Sequence, residues 1–179
     1  MKRFFPVGLF VLAFSATAQQ QHHKSDWEEK YEERLREERL LSESIKMLPA
    51  FPKRENLIEF TVSATSEFRF FVDPASLSVS DGAVRYTVVA RSPSGVENIA
   101  YEGLRCDTKQ YRMYATGRPD GTWVARLTPW REYPRATSGS WQHALAGQYF
   151  CPSNRETVAS EKEAVDALRA GGHPVRLGR

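Results

Sequence analysis

Regularly spaced turn sequences between residues 56 and 130 limit what this chain can fold into. Runs of β-branched and aromatic residues are separated by Asp73-Pro74, Asp81-Gly82, Pro93-Ser94-Gly95 and Pro119-Asp120-Gly121. Glycine adopts positive φ without steric cost, so such links are typical of tight hairpin turns. Links this short join antiparallel neighbours, because parallel strands need a long crossover. The pattern therefore predicts an antiparallel meander.

The predicted sheet has six or seven strands. Alternation of apolar and polar residues places them near 57–63, 68–73, 76–80, 83–91, 96–106, 110–117 and 122–127. Two glycines inside these strands, Gly103 and Gly117, indicate a bulge or the close packing of an aromatic neighbour.

The strand at 98–106 has two distinguishable faces. One face is formed by Ala100, Glu102, Leu104 and Cys106, and the other by Ile99, Tyr101, Gly103 and Arg105. Because Glu102 shares its face with apolar residues, we expect it to be partly buried and to need a partner. Arg112 on the next strand is the partner that we predict for it.

A charged helix is predicted over residues 25–48. Ser25 and Glu28 form a capping-box sequence, and prolines at 49 and 52 end the helix. Apolar residues recur at helical spacing, at Trp27, Tyr31, Leu35, Leu41, Ile45 and Leu48. This stripe is thin, so the sequence leaves open whether the helix docks on the domain or on a partner.

Two further helices are predicted after the strands. The first runs from Trp141 to about Phe150, is capped by Ser140, and points Trp141, Leu145 and Tyr149 or Phe150 at the sheet. His143 lies off that stripe and should be exposed. The second begins at a capping box, Ser160 with Glu163, turns Val165 and Leu168 inward and ends at Gly171-Gly172.

These elements predict an α+β fold. A single antiparallel meander of six or seven strands has the charged N-terminal helix, 25–48, and two C-terminal helices packed on it. The sheet and the C-terminal helices form one domain over residues 49–172. Residues 173–179 are predicted to be a flexible tail that frays from Pro174.

The N-terminus has the three parts of a secretory signal peptide. Lys2 and Arg3 precede an apolar run, and Ala16-Thr17-Ala18 supplies small residues for cleavage after Ala18. Residues 1–18 are therefore predicted to be removed, leaving a disordered polar segment at 19–24. No later stretch is apolar for long enough to span a bilayer, so we expect an exported soluble protein.

Charge argues against a nucleic-acid partner. The formal net charge is +3, and removal of the signal peptide takes away two of the basic residues. The remaining balance is too even for the basic patch that nucleic-acid binding requires.

The two cysteines, Cys106 and Cys151, are predicted to form a disulfide. An even number of cysteines in an exported chain favours this pairing. Two alternatives are a Cys106 nucleophile working with His143, and a metal site. A metal site would need three or four ligands at short spacing, and the histidines are scattered. A thiolate enzyme would have to protect a free thiol from oxidation.

Motifs that carry chemistry are scarce. The sequence has no phosphate-binding glycine loop, no G-x-S-x-G and no set of His and Cys residues at metal-ligand spacing, so no cofactor and no metal are predicted. Asp120 is explained by its turn and Asp107 by its loop.

The run FRFFVDPASLSVSDGAVRYTVVARSPSGVENIAYEGLRCDTKQYRMYATGRPDGTW, followed later by YFCP, resembles the cryptic neisserial protein-like family. The resemblance covers roughly residues 48–170, and the combination of VDPASL, RYTVVARS, SGVENIAYEGLRC and YATG is specific. It implies a small protein exported by a Gram-negative bacterium to the periplasm, of uncharacterised function and without assigned catalytic residues. Many members are lipoproteins, but Gln19 follows Ala18 here, so no lipid anchor is expected.

Three hypotheses about function follow. The first is a non-enzymatic binding module for an envelope protein or ligand, using Tyr101, Glu102, Arg105, Tyr111, Arg112, Tyr114 and Trp123. The second is an enzyme acting on envelope substrates, with Glu102 or Asp107 as acid or base and Arg105 or Arg112 holding an anion. The third is a structural protein that docks a partner through the 25–48 helix.

Overall fold

A computed structural model describes residues 25–46, 48–137, 139–153 and 155–178. The predicted signal peptide, 1–18, and the polar segment, 19–24, lie outside the described residues. In the described part the chain forms one antiparallel sheet with a helix before it and helices after it. The predicted α+β class is confirmed.

Seven strands form the sheet. They are β1 (Ile58–Phe60), β2 (Arg69–Ser80), β3 (Ala83–Arg91), β4 (Glu97–Arg105), β5 (Gln110–Gly117), β6 (Trp123–Ala125) and β7 (Arg131–Glu132). The first six lie side by side in chain order, and β7 also pairs with β5. Every pairing is antiparallel. Gly82, Gly95 and Gly121 have positive φ, so the hairpin turns predicted at these three glycines are confirmed.

The strand assignment around Asp73-Pro74 was wrong. The segments predicted at 68–73 and 76–80 form the single strand β2, which carries a large bulge where Asp73 faces Thr87 and Ser78 faces Arg85. The Ser76 hydroxyl donates to the Asp73 carbonyl and accepts from the Thr87 amide, each at 2.7 Å. These two bonds bridge the gap that proline leaves in the ladder, so the strand continues instead of turning.

Helices cover one face of the sheet, called here the inner face. Helix α2 (Trp141–Ala144) continues as a π-helical segment (Leu145–Phe150), and α3 (Glu161–Arg169) follows. The wider π turns place both Tyr149 and Phe150 in the core, where the sequence suggested only one of them. His143 is exposed, as predicted.

Of the two caps predicted for the C-terminal helices, one forms as expected. Ser160 accepts from the Glu163 amide at the start of α3. The predicted cap by Ser140 was wrong, because its hydroxyl accepts from the Thr137 amide and donates to the Arg135 carbonyl. Ser140 therefore organises the preceding loop and leaves the first turn of α2 without a side-chain cap.

A short helix, α4 (Pro174–Leu177), ends the described chain. It begins at His173, whose ring is buried and hydrogen-bonded to Glu163. The Arg176 guanidinium reaches the Cys151 carbonyl. The flexibility of 173–179 stays a prediction, but the segment has these defined contacts in the structure.

The disulfide joins the two layers. Cys106 follows β4 and Cys151 follows the π-helical segment, and their sulfurs are bonded with a Cα–Cα distance of 5.6 Å. The prediction of a disulfide is confirmed. The main core packs around it between the inner face and the helices, from residues such as Val72, Val84, Leu104, Leu145, Phe150 and Leu168.

The charged helix α1 (Asp26–Lys46) precedes the sheet. The Glu28 carboxylate accepts from the Ser25 amide at 2.8 Å, as the capping-box sequence suggested. Trp27, Tyr31 and Leu35 are exposed by 67%, 48% and 43%, so the domain does not cover the first half of the apolar stripe. The side chains of Leu41 and Ile45 lie outside the described part.

Candidate functional site

The sheet separates the residues that the sequence suggested as one site. Glu102 and Tyr111 lie on the inner face, where Tyr111 packs against the main core. Tyr101, Tyr114 and Trp123 form a small second core on the opposite face, called here the outer face. Arg105 and Arg112 also lie on the outer face, because both contact the Trp130 ring there. A single site built from all seven residues is therefore not formed.

Glu102 is fully buried between β4 and α2. Its carboxylate accepts from the Tyr86 hydroxyl at 3.0 Å, from Trp141 Nε1 at 2.9 Å and from the Gln142 amide at 3.1 Å. Burial raises the pKa of Glu102 from 4.5 to about 7, and the three donors oppose that rise. With no exposed surface, this carboxyl holds α2 to the sheet and has no contact with solvent.

The predicted pairing of Glu102 with Arg112 was wrong. Arg112 lies opposite Gly103, and Met113 lies opposite Glu102. The register then shifts, because Tyr101 faces Ala115, so Tyr114 is an extra residue in β5. This bulge puts Tyr114 and Ala115 on the outer face together and leaves the Arg112 side chain on the face opposite Glu102.

The outer-face aromatic rings mostly contact each other. The Tyr101 ring lies 5.4 Å from the Tyr114 ring and 6.4 Å from the Trp123 ring, measured between centroids. Trp123 also contacts Phe51, and its Nε1 donates to the Pro49 carbonyl. Tyr101 and Tyr114 are only 4% and 8% exposed, so they form a packed base beneath the surface and offer a ligand little area.

Three arginines converge above this base, and we call Arg85, Arg105 and Arg112 the guanidinium cluster. Arg85 and Arg112 flank Gly103 on either side in the same row of the sheet, and Arg105 is two residues along β4. With no side chain at Gly103, the Tyr114 and Trp130 rings fill the space, since a Cβ there would lie 3.0 Å from Tyr114 and 3.4 Å from Trp130. The close aromatic packing predicted for Gly103 is confirmed.

Guanidinium groups and rings alternate across the cluster. Arg85 and Arg112 lie 5.9 Å and 5.5 Å from the Tyr114 ring centroid. Arg112 and Arg105 lie 5.3 Å and 4.3 Å from the Trp130 ring centroid. The negative face of each ring offsets part of the repulsion between the two cations that lie near it.

The carboxylates near the cluster are few. Asp81, whose side chain is 82% exposed, approaches Arg85 at 3.7 Å. Within the described residues, no carboxylate pairs with Arg105 or Arg112, and the buried Nε of Arg105 has no hydrogen-bond partner. Burial lowers the pKa of Arg112, and repulsion from Arg105 and Arg85 lowers it further. The cluster therefore holds positive charge that the surrounding chain does not neutralise.

Arg85 and Trp130 belong to this site, and the sequence interpretation did not include either. Arg85 is separated from Arg112 by 27 positions and by one intervening strand, so only the strand register brings them together. The sequence nevertheless indicated that such residues exist. Gly103 and Arg105 share one predicted face of β4, so side chains from both neighbouring strands must lie beside them on that face.

A groove of about 460 Å³ lies further along the same outer face. Strand residues Val89, Ile99 and Gly117 form its floor, and Phe51 and Pro52 form one wall. Gly117 is packed against Ile99 and Phe51, as its predicted close contact required. At its rim Glu97 pairs with Arg54 at 3.2 Å and with Arg91 at 2.8 Å. Arg54 and Arg91 therefore share one carboxylate, whereas Arg105 and Arg112 at the guanidinium cluster have none among the described residues.

The remaining candidate carboxylates belong to turns. The exposed Asp107 accepts from the Thr108 amide, and Asp120 accepts from the Thr122 amide and hydroxyl. Across the described ranges, no group of three or more His, Cys, Asp or Glu residues is placed to hold a metal ion. In the same ranges, no helix has the length and apolar character needed to cross a bilayer.

Comparison with known proteins identifies a family. A family model described as the CNP1-like family matches residues 36–169, a range that contains β1 to β7, α2 and α3. The family consists of uncharacterised proteins. No curated protein and no solved structure matches the chain. Because the matched range is well over half of the sequence, the chain belongs to the CNP1-like family.

Proposed function

We propose that this protein is exported to the periplasm and works there as a non-enzymatic binding module whose binding surface is the outer face of the sheet. Export is supported by the signal-peptide sequence and by the disulfide, which is typical of oxidising compartments. The resemblance to cryptic neisserial protein-like sequences supports the same location.

The unneutralised charge of the guanidinium cluster is the reason for proposing the outer face as the binding surface. Two other outer-face arginines have carboxylate partners: Arg69 pairs with Glu59 and Arg91 with Glu97. Arg105 and Arg112 instead lie against Trp130 with no such partner among the described residues. Burying unneutralised charge is costly, so its presence here favours a ligand that supplies the missing counter-charge.

The alternative of an enzyme built on Glu102 has less support. Its proposed acid or base is fully buried on the inner face, whereas Arg105 and Arg112 lie on the outer face. Asp107 is exposed in a turn and its carboxylate is hydrogen-bonded to the next backbone amide. Neither carboxyl shares a cleft with the arginines in the way that acid–base catalysis on a bound anion requires.

Site-specific photo-crosslinking in living cells tests the outer-face proposal. A photoreactive amino acid is placed at Arg118 or Arg126 on the exposed surface near the outer face, and at Lys162 on α3 as the matched control. We expect discrete adducts from the two outer-face positions and none from position 162. Adducts of equal strength from both sides, or from the control alone, would contradict the proposal.

The α1 helix supports a second candidate, a partner-docking element. Trp27, Tyr31 and Leu35 present exposed apolar surface at helical spacing. We expect the triple change to serine to leave the free energy of unfolding within about 0.5 kcal/mol, because these side chains are exposed. It should also remove the adducts formed by a photoreactive amino acid placed at Arg34 on α1. A matched variant with serine at Lys30 and Glu33 should keep the adducts. Equal adduct yield from both variants would exclude this role.

Export itself makes a simple prediction. Protein recovered from the periplasm should have the mass of a chain beginning at Gln19, with no thiol available to alkylation under denaturing, non-reducing conditions. Intact-mass spectrometry with and without alkylating agent measures both properties together. A chain that retains Met1, or that takes up two alkyl groups, would contradict the proposed location.

A further inference from the structure

The guanidinium cluster combines three features that a binding site for an anionic group needs. It concentrates cations, it is partly withdrawn from water, and its hydrogen-bonding capacity is incompletely used. The Arg85 side chain is 11% exposed, and Arg105 and Arg112 are half-buried. Charges in such a place interact more strongly with a ligand than fully solvated charges do.

The unused capacity belongs mainly to Arg105 and Arg112. Arg85 donates to Ser80 Oγ and to the Tyr114 hydroxyl, and Arg112 donates through Nε to the Thr128 carbonyl at 3.0 Å. The two terminal nitrogens of Arg112 have no partner among the described residues, and neither does any nitrogen of Arg105. These two side chains therefore retain the donor groups that could bind a ligand.

The ring contacts leave the terminal N–H donors of both side chains unused, whereas Nε of Arg105 is buried. A guanidinium uses its face to contact an aromatic ring, whereas its N–H groups lie in the plane of the group and project from its edge. The Trp130 ring centroid lies 4.3 Å from the guanidinium carbon of Arg105 and 5.3 Å from that of Arg112. Tyr114 and Trp130 thereby fix the two guanidinium groups without using their N–H edges.

We propose that the guanidinium cluster binds a phosphate group of a phosphorylated ligand. The phosphate is held between the edges of Arg105 and Arg112, and Arg85 adds positive charge from the other side of Gly103. This inference rests on the proposed function, because it assigns the ligand chemistry of the same outer face.

Charge and shape favour phosphate over a carboxylate. Two guanidinium groups are without a counter-ion, and a phosphate monoester carries about −1.5 to −2 charge at neutral pH, which matches two cations better than a single carboxylate does. Its oxygens are tetrahedrally arranged, so two arginines approaching from different strands can each take a different pair. Arginine forms two-point contacts with phosphate and with carboxylate, so the greater charge and the larger number of oxygens favour phosphate here.

Calorimetric titration of the mature chain, with its disulfide formed, tests the proposal. The probes are sodium phosphate, glycerol 3-phosphate and acetate in low-salt buffer at pH 7.5. We expect millimolar binding of both phosphates, and acetate weaker by about tenfold because it can offset only one charge. Binding should weaken as salt is added. Equal binding of acetate and phosphate would overturn the assignment of phosphate.

Substitutions locate the site. Arg112→Gln and Arg105→Gln should each weaken phosphate binding by about tenfold or more, since each removes charged donors. Arg69→Gln removes one outer-face charge that already has a partner, Glu59, and should change binding by less than about twofold. Thermal unfolding of each variant verifies that it is folded. If Arg69→Gln weakens binding as much as the two cluster variants do, the effect is general charge and the site is wrong.

Vesicles distinguish the source of the phosphate. If the wild-type protein sediments with phosphatidylcholine vesicles that contain phosphatidic acid, and both cluster variants do not, the ligand is a lipid headgroup. Binding of glycerol 3-phosphate without vesicle binding identifies a soluble ligand, and either result supports the site. If neither phosphate nor vesicles bind while outer-face crosslinks persist, the phosphate assignment fails and the proposed function stands. If the crosslinks are absent as well, both fail.

Discussion

Replacing Glu102 with alanine is expected to lower the free energy of unfolding by about 3 kcal/mol at pH 5, because three buried donors then lose one acceptor. The donors are the Tyr86 hydroxyl, Trp141 Nε1 and the Gln142 amide, and two of them belong to α2. The variant should also detach α2 from the sheet before the rest of the domain unfolds. Urea unfolding monitored by tryptophan fluorescence measures the loss.

Glu102→Gln is the matched control, and it should change how stability depends on pH. The folded protein holds a proton on Glu102 up to about pH 7, whereas the unfolded chain releases it near 4.5. Because the pKa is higher in the folded state, protonated Glu102 adds to the free energy of unfolding. This stabilising contribution is fully present below pH 4.5 and is lost as the pH rises through 7. The shift corresponds to about 3 kcal/mol over that window.

Glu102→Gln should therefore match the wild type near pH 4.5 and be the more stable of the two at pH 8. The comparison isolates Glu102, because every other titrating group is shared by the two proteins. Stability curves that run parallel from pH 4.5 to pH 8 would show that Glu102 keeps its ordinary pKa in the folded protein, contrary to its buried environment.

Removing the disulfide is the second change expected to have a large effect. Cys106 and Cys151 are 45 positions apart, and a crosslink of that span stabilises a fold by about 4 kcal/mol in the chain-entropy model. The double variant Cys106→Ser and Cys151→Ser should lose that amount. Urea unfolding of the double variant, and of reduced wild type, measures it.

Both samples should behave alike, because both lose the same link between the end of β4 and the end of the π-helical segment. Phosphate binding at the guanidinium cluster should survive in any fraction that remains folded, since the cluster lies on the opposite face. A loss of less than about 1 kcal/mol would mean that the unfolded chain is already constrained without the crosslink.

The sequence contains enough local information for the meander. Glycine at positions 82, 95 and 121 has the positive φ that its turn required, and the alternation in β4 placed Leu104 and Cys106 inside and Tyr101 outside. These features depend on neighbouring residues only. The cysteine pairing followed from the number of cysteines and the expected compartment, and the structure contains that disulfide.

The features that were missed depend on contacts between distant residues. The strand β2 continues past Pro74 because Ser76 forms a hydrogen bond with Thr87 on the next strand. The residues next to Pro74 in the sequence do not indicate this contact. Glu102 finds its partners 39 and 40 positions away, in α2. Arg112 lies opposite Gly103 and so shares a face with Arg105 and Trp130, and this pairing became visible only with the register of β4 and β5.

NMR observation of the arginine side chains is the most direct test of phosphate binding at the guanidinium cluster. Sodium phosphate is titrated into the mature wild-type chain while the Nε–Hε resonances of its arginines are followed. If phosphate binds there, the resonances of Arg105 and Arg112 shift together and saturate. The resonance of Arg69, which is paired with Glu59, keeps its chemical shift. Uniform small shifts at all arginines, or saturating shifts only outside the cluster, would contradict phosphate binding at this cluster.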